Sequence, residues 1–222
     1  MKRAFTLLEL VFVIVIIGIL SALIIPKTQT NSLREAAIQL VSDIRYTQHL
    51  AMIDDKFDSS DSNYYLGRWQ IRFTTANSSQ AYFIMSDTMT SNYDANPNAP
   101  ADFSYSEVAK DPINSEKYLI GTTYSSFDGD RDDHINSKLN LKASYGIISI
   151  SVSGGSTGSS SRRIIFDELG RPYRGDTKLS NASHLSSPVD KLLTSRCTIT
   201  LSNNTDSVQI AVEPETGYTH IL

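Results

Sequence analysis

Glu9 is a carboxylate inside an otherwise apolar stretch, and its chemistry is the strongest signal in this chain. The stretch runs from Phe5 to Ile25 and holds no other charged residue. A carboxylate in a membrane helix costs about 2.5–3.5 kcal/mol at the bilayer centre, and less near the surface. No Lys, Arg or His lies in the stretch to neutralise Glu9. Cleavage before Phe5 would supply a cation, because a new α-amine has a pKa of about 8.

The apolar stretch predicts a single membrane-spanning helix over residues 5–25. At 1.5 Å per residue the stretch spans roughly 31 Å, about the thickness of the hydrocarbon core of a bilayer. Lys2 and Arg3 precede it and orient the N-terminus toward the cytoplasm. A secretory signal peptide is disfavoured because the run is long, contains a carboxylate and has no A-x-A site. One alternative for Glu9 is that it snorkels to the cytoplasmic surface.

The run Lys2-Arg3-Ala4-Phe5-Thr6-Leu7-Leu8-Glu9 before the apolar stretch resembles the class III signal of type IV pilins and type II secretion pseudopilins. The resemblance implies that prepilin peptidase removes residues 1–4 by cutting between Ala4 and Phe5, and then N-methylates Phe5. Ala4 stands where the family usually has Gly. The resemblance also implies that Glu9 pairs with the Phe5 amine of a neighbouring subunit, which would neutralise both charges and set the register between subunits.

On this resemblance the protein is a structural minor pilin or pseudopilin of a type II secretion pseudopilus or a type IV pilus. The implied partners are other pilin or pseudopilin subunits, prepilin peptidase, an inner-membrane assembly platform and the lipid bilayer. The implied location is the bacterial inner membrane, with a single span and a periplasmic C-terminal head, and then the filament. An alternative is a non-polymerising, single-pass anchored periplasmic binding module that depends on calcium.

A second helix is predicted after the apolar stretch. Pro26 and the polar residues 27–32 interrupt the helical pattern, because proline lacks a backbone donor. Ser32-x-x-Glu35 is typical of a capping box that restarts the helix. Apolar residues at helical spacing, led by Leu40 and Ile44, predict a face that packs on a sheet. The helix is expected to end near residues 54–55, with these polar side chains on its surface: Arg34, Gln39, Asp43 and Arg45.

Alternating apolar residues from Tyr64 onward predict short β-strands, as in Trp69, Ile71 and Phe73. The expected fold is α+β, with a long N-terminal helix packed on an antiparallel sheet that has one buried face. Ile164–Tyr173 (IIFDELGRPY) and the last 26 residues, from Cys197, resemble the H-type minor pseudopilins (the GspH/FimT group). The predicted domains are a leader (1–4), a membrane and filament-core helix (5–25), an amphipathic helix (26–55) and a β-rich head (56–222).

An acidic loop offers one candidate metal site. Asp128, Asp130 and Asp132 have the D-x-D-x-D spacing of a calcium loop, and Asn136 follows as a further oxygen ligand. Two positions depart from that pattern: Asp133 replaces the usual Gly, and the usual bidentate Glu is missing. The alternative is an exposed acidic loop with no ligand.

Composition and motifs argue against other functions. The net charge of -4 disfavours a nucleic-acid partner, which requires a basic surface to neutralise phosphates. Cys197 is the single cysteine, so no intrachain disulfide can form. The chain has no H-E-x-x-H or P-loop sequence, and its four histidines are far apart. No enzyme activity is expected, and any ATPase that drives assembly must be another protein.

Overall fold

The computed structural model describes residues 6–24, 31–88, 104–124, 132–156, 161–178 and 181–222. The chain divides into two compact units, Met1–Ser32 and Leu33–Leu222. The first contains helix α1, Leu7–Ile24, whose large apolar side chains are exposed as far as Leu20. Within the described ranges, no helix is both long enough and apolar enough to cross a membrane. Pro26 lies outside the described residues.

Helix α2, Ser32–Ile53, begins at the predicted position and ends one residue before Asp54, so both predicted bounds are confirmed. Its apolar residues recur every three or four positions, which places them on one face. That face is buried in the main core of the second unit, as expected. The buried apolar residues of α2 are Leu33, Ala36, Ala37, Leu40, Val41, Ile44 and Ala51.

The strands of the described residues form two antiparallel sheets, whereas a single sheet was expected. The first sheet contains β1 (Gln70–Thr74), β2 (Ala81–Met85), β4 (Arg163–Phe166) and β5 (Pro172–Tyr173), in the order β2-β1-β4-β5. The second contains β3 (Ser149–Gly154), β6 (Cys197–Ser202), β7 (Ser207–Val212) and β8 (Thr219–Ile221), in the order β3-β6-β7-β8. Alternation identifies a strand but not its partner, so the number of sheets was not visible in the pattern. The α+β class is confirmed.

The face of α2 packs against side chains from both sheets, including Ile71 and Phe73 of the first sheet and Ile199 and Ile210 of the second. The first sheet is buried on its other face as well, so the prediction of one buried face is wrong for this sheet. Two smaller apolar clusters cover that second face. Their buried members are Phe83, Met85, Val108, Ile120 and Tyr124 in one cluster, and Tyr65, Leu66, Ile165, Tyr173 and Leu185 in the other.

Arginine side chains close the outer edge of β3. The Arg174 guanidinium donates to the Val152 and Gly154 carbonyls, each at 2.7 Å. Arg162 donates to the Ile150 carbonyl at 3.3 Å. An exposed strand edge presents unpaired backbone groups to which another chain can add. These two arginines therefore occupy the acceptors that an incoming strand would use.

Helix α2 binds the turns of both sheets through Gln48. Its side-chain amide donates to the carbonyl of Gly170, between β4 and β5, and to that of Thr216, between β7 and β8, both at 2.8 Å. Gly217 follows with a φ of +64°, where a Cβ atom would lie 2.8 Å from the Gly170 carbonyl oxygen. Only glycine fits this left-handed position without moving the neighbouring turn.

Asp43 is buried, so the prediction of a surface position is wrong. Only 7% of this residue is exposed. The Tyr82 hydroxyl donates to its Oδ2 atom at 2.5 Å, and the Gln39 amide donates to the same oxygen at 3.0 Å. Burial raises the pKa of Asp43, and burial together with the adjacent carboxyl holds the pKa of Tyr82 well above its usual value. The helical pattern alone does not reveal that β2 supplies a hydroxyl partner.

Candidate functional site

Thr6 and Glu9 form a reciprocal cap at the start of α1. The Thr6 backbone N–H and the Thr6 hydroxyl both donate to Glu9 Oε2 at 3.1 Å. The Glu9 backbone N–H donates to Thr6 Oγ1 at 3.3 Å. This pattern is a capping box, in which two side chains satisfy backbone donors that a helix start leaves unpaired. The capping role of Thr6 was not among the predictions, although a T-x-x-E spacing before an apolar run is the sequence signal for it.

Glu9 lies at the N-terminus of α1 and has one carboxylate oxygen outside the cap. Glu9 lies in the first turn of α1, where the partial positive charge of the helix N-terminus stabilises an anion. Among the described residues, every hydrogen bond that the Glu9 carboxylate accepts is made by Oε2. Oε1 can therefore accept from a cation without disturbing the cap.

The structure describes only part of the predicted processing and assembly site. Ala4 and Phe5, which flank the predicted cut, lie outside the described residues, as does the helix break at Pro26. The cut and the methylation of Phe5 therefore stay predictions. Glu9 is described, and it is exposed at the end of α1 that is nearest to the predicted cut.

The predicted calcium ligands are described only at Asn136. Asp128 and Asp130 lie outside the described residues, as does the side chain of Asp132. The Asn136 amide nitrogen donates to Asp111 Oδ2 at 2.7 Å, and its oxygen accepts from the Lys138 backbone N–H at 3.0 Å. In the part of the chain that the structure describes, no three or more His, Cys, Asp or Glu side chains are grouped to hold a metal. The calcium site stays a prediction.

Cys197 is fully buried at the start of β6. Burial raises the pKa of its thiol to about 11. The thiol is therefore protonated at neutral pH and inaccessible, which excludes it as a nucleophile.

Residues 1–25 match one protein family, described as the Prokaryotic N-terminal methylation motif. This motif is the type IV pilin-like prepilin signal, which is typical of membrane-anchored pilins, so the predicted pilin-type signal is confirmed. The motif implies processing by prepilin peptidase and assembly with other pilins. No curated protein and no solved structure is significantly similar to the chain.

Proposed function

We propose that this protein is a minor pilin or pseudopilin, a structural subunit of a type II secretion pseudopilus or a type IV pilus. Prepilin peptidase cuts the precursor between Ala4 and Phe5 and methylates Phe5, and the product joins a filament of related subunits. The observation that carries the proposal is the methylation motif over residues 1–25, which contains Glu9 in the first turn of α1.

In the proposed assembly step, Glu9 attracts the Phe5 amine of a subunit already in the filament. The hydrogen bonds from Thr6 hold Oε2 of the incoming subunit in place, and Oε1 then accepts a hydrogen bond from the N-methylated amine of the subunit in the filament. An ion pair in a low-dielectric environment stabilises only when its geometry is good, and a carboxylate fixed by a cap has less freedom to lose on pairing.

We also propose that residues 5–25 lie in the inner membrane before assembly and in the filament core afterwards, with the head in the periplasm. A helix with apolar residues all around its circumference is typical of a membrane segment or of the core of a large assembly. Lys2 and Arg3 precede the segment and favour a cytoplasmic N-terminus.

Within this class we propose the H-type group (GspH/FimT), on the basis of the resemblance in residues 164–173. These residues form β4, a turn and β5. Buried Asp167 organises the turn: its carboxylate accepts from the Arg171 backbone N–H at 2.8 Å, from Arg171 Nε at 2.7 Å and from the Tyr173 hydroxyl at 2.9 Å. The defined turn between β4 and β5 supports this proposal.

The test compares Glu9→Gln with Glu35→Gln in cells that assemble the filament. Gln at the third helical position preserves a capping box, so Glu9→Gln removes the charge and keeps the cap. Glu35 is the matched control, because it is an exposed carboxylate in the first turn of α2. Incorporation into sheared filaments, measured by immunoblot, is expected to fall at least about tenfold for Glu9→Gln, the equivalent of about 1.4 kcal/mol of lost pairing. It is expected to be unchanged for Glu35→Gln.

Mass spectrometry of the native protein tests processing separately. The expected N-terminus is N-methylphenylalanine at residue 5. An intact Met1 in membrane-bound protein that forms no filament would favour the non-polymerising anchor instead. Normal incorporation of Glu9→Gln would contradict the pairing role even if the cut is found.

A further inference from the structure

Five large apolar side chains form an exposed strip on the second unit, where the end of α2 lies beside the turns that follow β4 and β7. We call it the α2 strip. Each of the five is 56–66% exposed. They are Met52, Ile53, Phe57, Leu169 and Tyr218.

The α2 strip is continuous because the two turns lie against the helix. The Met52 sulfur would be only 3.2 Å from a Cβ atom at Gly170, so Met52 packs on this turn beside Leu169. At the other end, the Arg45 guanidinium carbon lies 5.6 Å from the centre of the Tyr218 ring. The strip therefore begins at Arg45 and runs along α2 past its last residue.

The two ends of the α2 strip carry opposite charges. Arg45 is exposed at one end and has no carboxylate partner within the described ranges. Asp55 and Asp58 are exposed at the other end, and neither pairs with a cation in the part of the chain that the structure describes. Lys56 does not neutralise them, because it pairs with Asp54 at 2.5 Å. Each end thus lacks the countercharge that the other end has.

The size of the α2 strip is that of an interaction surface. A large side chain has roughly 200 Å² of surface, so five of them at this exposure present roughly 600 Å². Contiguous apolar patches of about 300–600 Å² on a soluble surface are often functional, and a standard interface buries about 800 Å² on each partner. The strip and its charged ends together reach this size.

We propose that the α2 strip binds a second copy of this chain. The two helices lie side by side and parallel, and one is displaced so that Arg45 of one copy meets Asp55 of the other. Asp55 lies ten residues after Arg45, so the displacement is about 15 Å along the helix axis. The apolar side chains between the charged ends then pack on each other and leave water.

This contact joins two different ends of the strip and is heterologous. It leaves one Arg45 end and one Asp55 end free, so further copies can add in the same way. The contact uses residues of the second unit only. It does not depend on Glu9 or on cleavage before Phe5, so either proposal can fail without the other.

The test is cross-linking between two differently tagged full-length copies that are co-expressed and purified in detergent. One copy carries His49→Cys and the other Ser59→Cys; these exposed residues lie four positions after Arg45 and Asp55, respectively. A bismaleimide is expected to join them at least about tenfold more than it joins His49→Cys to Ser151→Cys. Ser151 is the matched control, because it is exposed on β3, at the opposite edge of the second sheet from β8.

Charge reversal tests the pairing of the ends. Arg45→Glu in the first copy is expected to lower the cross-link at least about threefold, because it places like charges together. Asp55→Arg in the second copy alone is expected to do the same. The two reversals together are expected to restore the cross-link. Arg45 also donates to the Thr219 carbonyl, and restoration distinguishes a contact between copies from a local defect in folding.

Leu169→Ser tests the apolar part of the strip. It is expected to lower the cross-link at least about fivefold, because the interface loses a buried leucine. Ile148→Ser is the matched control: this residue is 48% exposed just before β3 and is expected to have no effect.

Three results would overturn the proposal. The first is a cross-link between His49→Cys and Ser59→Cys no stronger than that to Ser151→Cys. The second is failure of the two charge reversals to restore each other, and the third is an equal loss with Ile148→Ser. If His49→Cys is joined in cells only to a different protein, the strip belongs to that partner and the proposal is also wrong.

Discussion

Replacing Arg174 by methionine is expected to destabilise the second unit strongly. Arg174 is only 5% exposed, and its guanidinium donates to three backbone carbonyls, those of Val152, Gly154 and Ser161, at 2.7, 2.7 and 3.0 Å. Methionine fills similar space but leaves all three acceptors without this donor. A hydrogen bond to a charged group contributes about 1.5–3 kcal/mol to stability, and Arg174→Met removes three of them. Part of this loss is offset, because the substitution also removes a buried charge.

We therefore expect Arg174→Met to lower the free energy of unfolding by about 3–5 kcal/mol, a large share of the roughly 5–15 kcal/mol typical of a folded domain. Urea denaturation can follow this change through Trp69, the single tryptophan, whose indole donates to Asp54 in the folded state. Arg174→Lys retains the charge but cannot reach three carbonyls, so an intermediate loss is expected.

Arg196→Met serves as the control for Arg174→Met. Arg196 is half exposed and pairs with Glu213 at 2.8 Å, and a surface ion pair of this kind contributes about 0–1 kcal/mol. The reasoning is refuted if Arg174→Met costs less than about 1 kcal/mol, or no more than Arg196→Met. Either result would mean that the β3 edge does not need its arginine donors.

Three further perturbations have defined outcomes. Burial raises the pKa of Asp43 in the folded protein, so the neutral carboxyl stabilises the fold. This contribution is complete below the unfolded pKa of about 3.9, and it is lost as the pH rises through the higher pKa of the folded protein. Asp43→Asn should therefore gain stability relative to wild type in urea titrations as the pH rises above the unfolded pKa of Asp43; an opposite trend would show that Asp43 is stabilised as an anion. Thr6→Val removes the hydroxyl half of the α1 cap and keeps Glu9, so incorporation into filaments should fall less than in Glu9→Gln; an equal fall would show that assembly depends on the cap as much as on the charge of Glu9. The Cys197 thiol should resist alkylation in folded protein and react in urea, and rapid labelling without denaturant would contradict its burial.

Local patterns predicted those features whose causes are local. The bounds of α2 follow from apolar residues at helical spacing, and the N-terminal signal depends on one charge, its offset and the length of an apolar run. The Thr6–Glu9 cap was equally local and could have been found from its spacing. In contrast, the number of sheets depends on which strands pair, and the buried positions of Asp43 and Arg174 depend on partners far away in the chain. Tyr82 is 39 residues from Asp43, a separation that no periodicity reports.

The bonds that Gln48 makes have a mechanical consequence. One side chain of α2 holds a turn of each sheet, and Arg45, one helical turn earlier, donates to the Thr219 carbonyl in β8. A pull on α2 is thus shared between the two sheets at the same moment and is not applied to one strand at its end. Contacts loaded in parallel must break together, so the head is built to resist tension better than the strength of any single bond suggests.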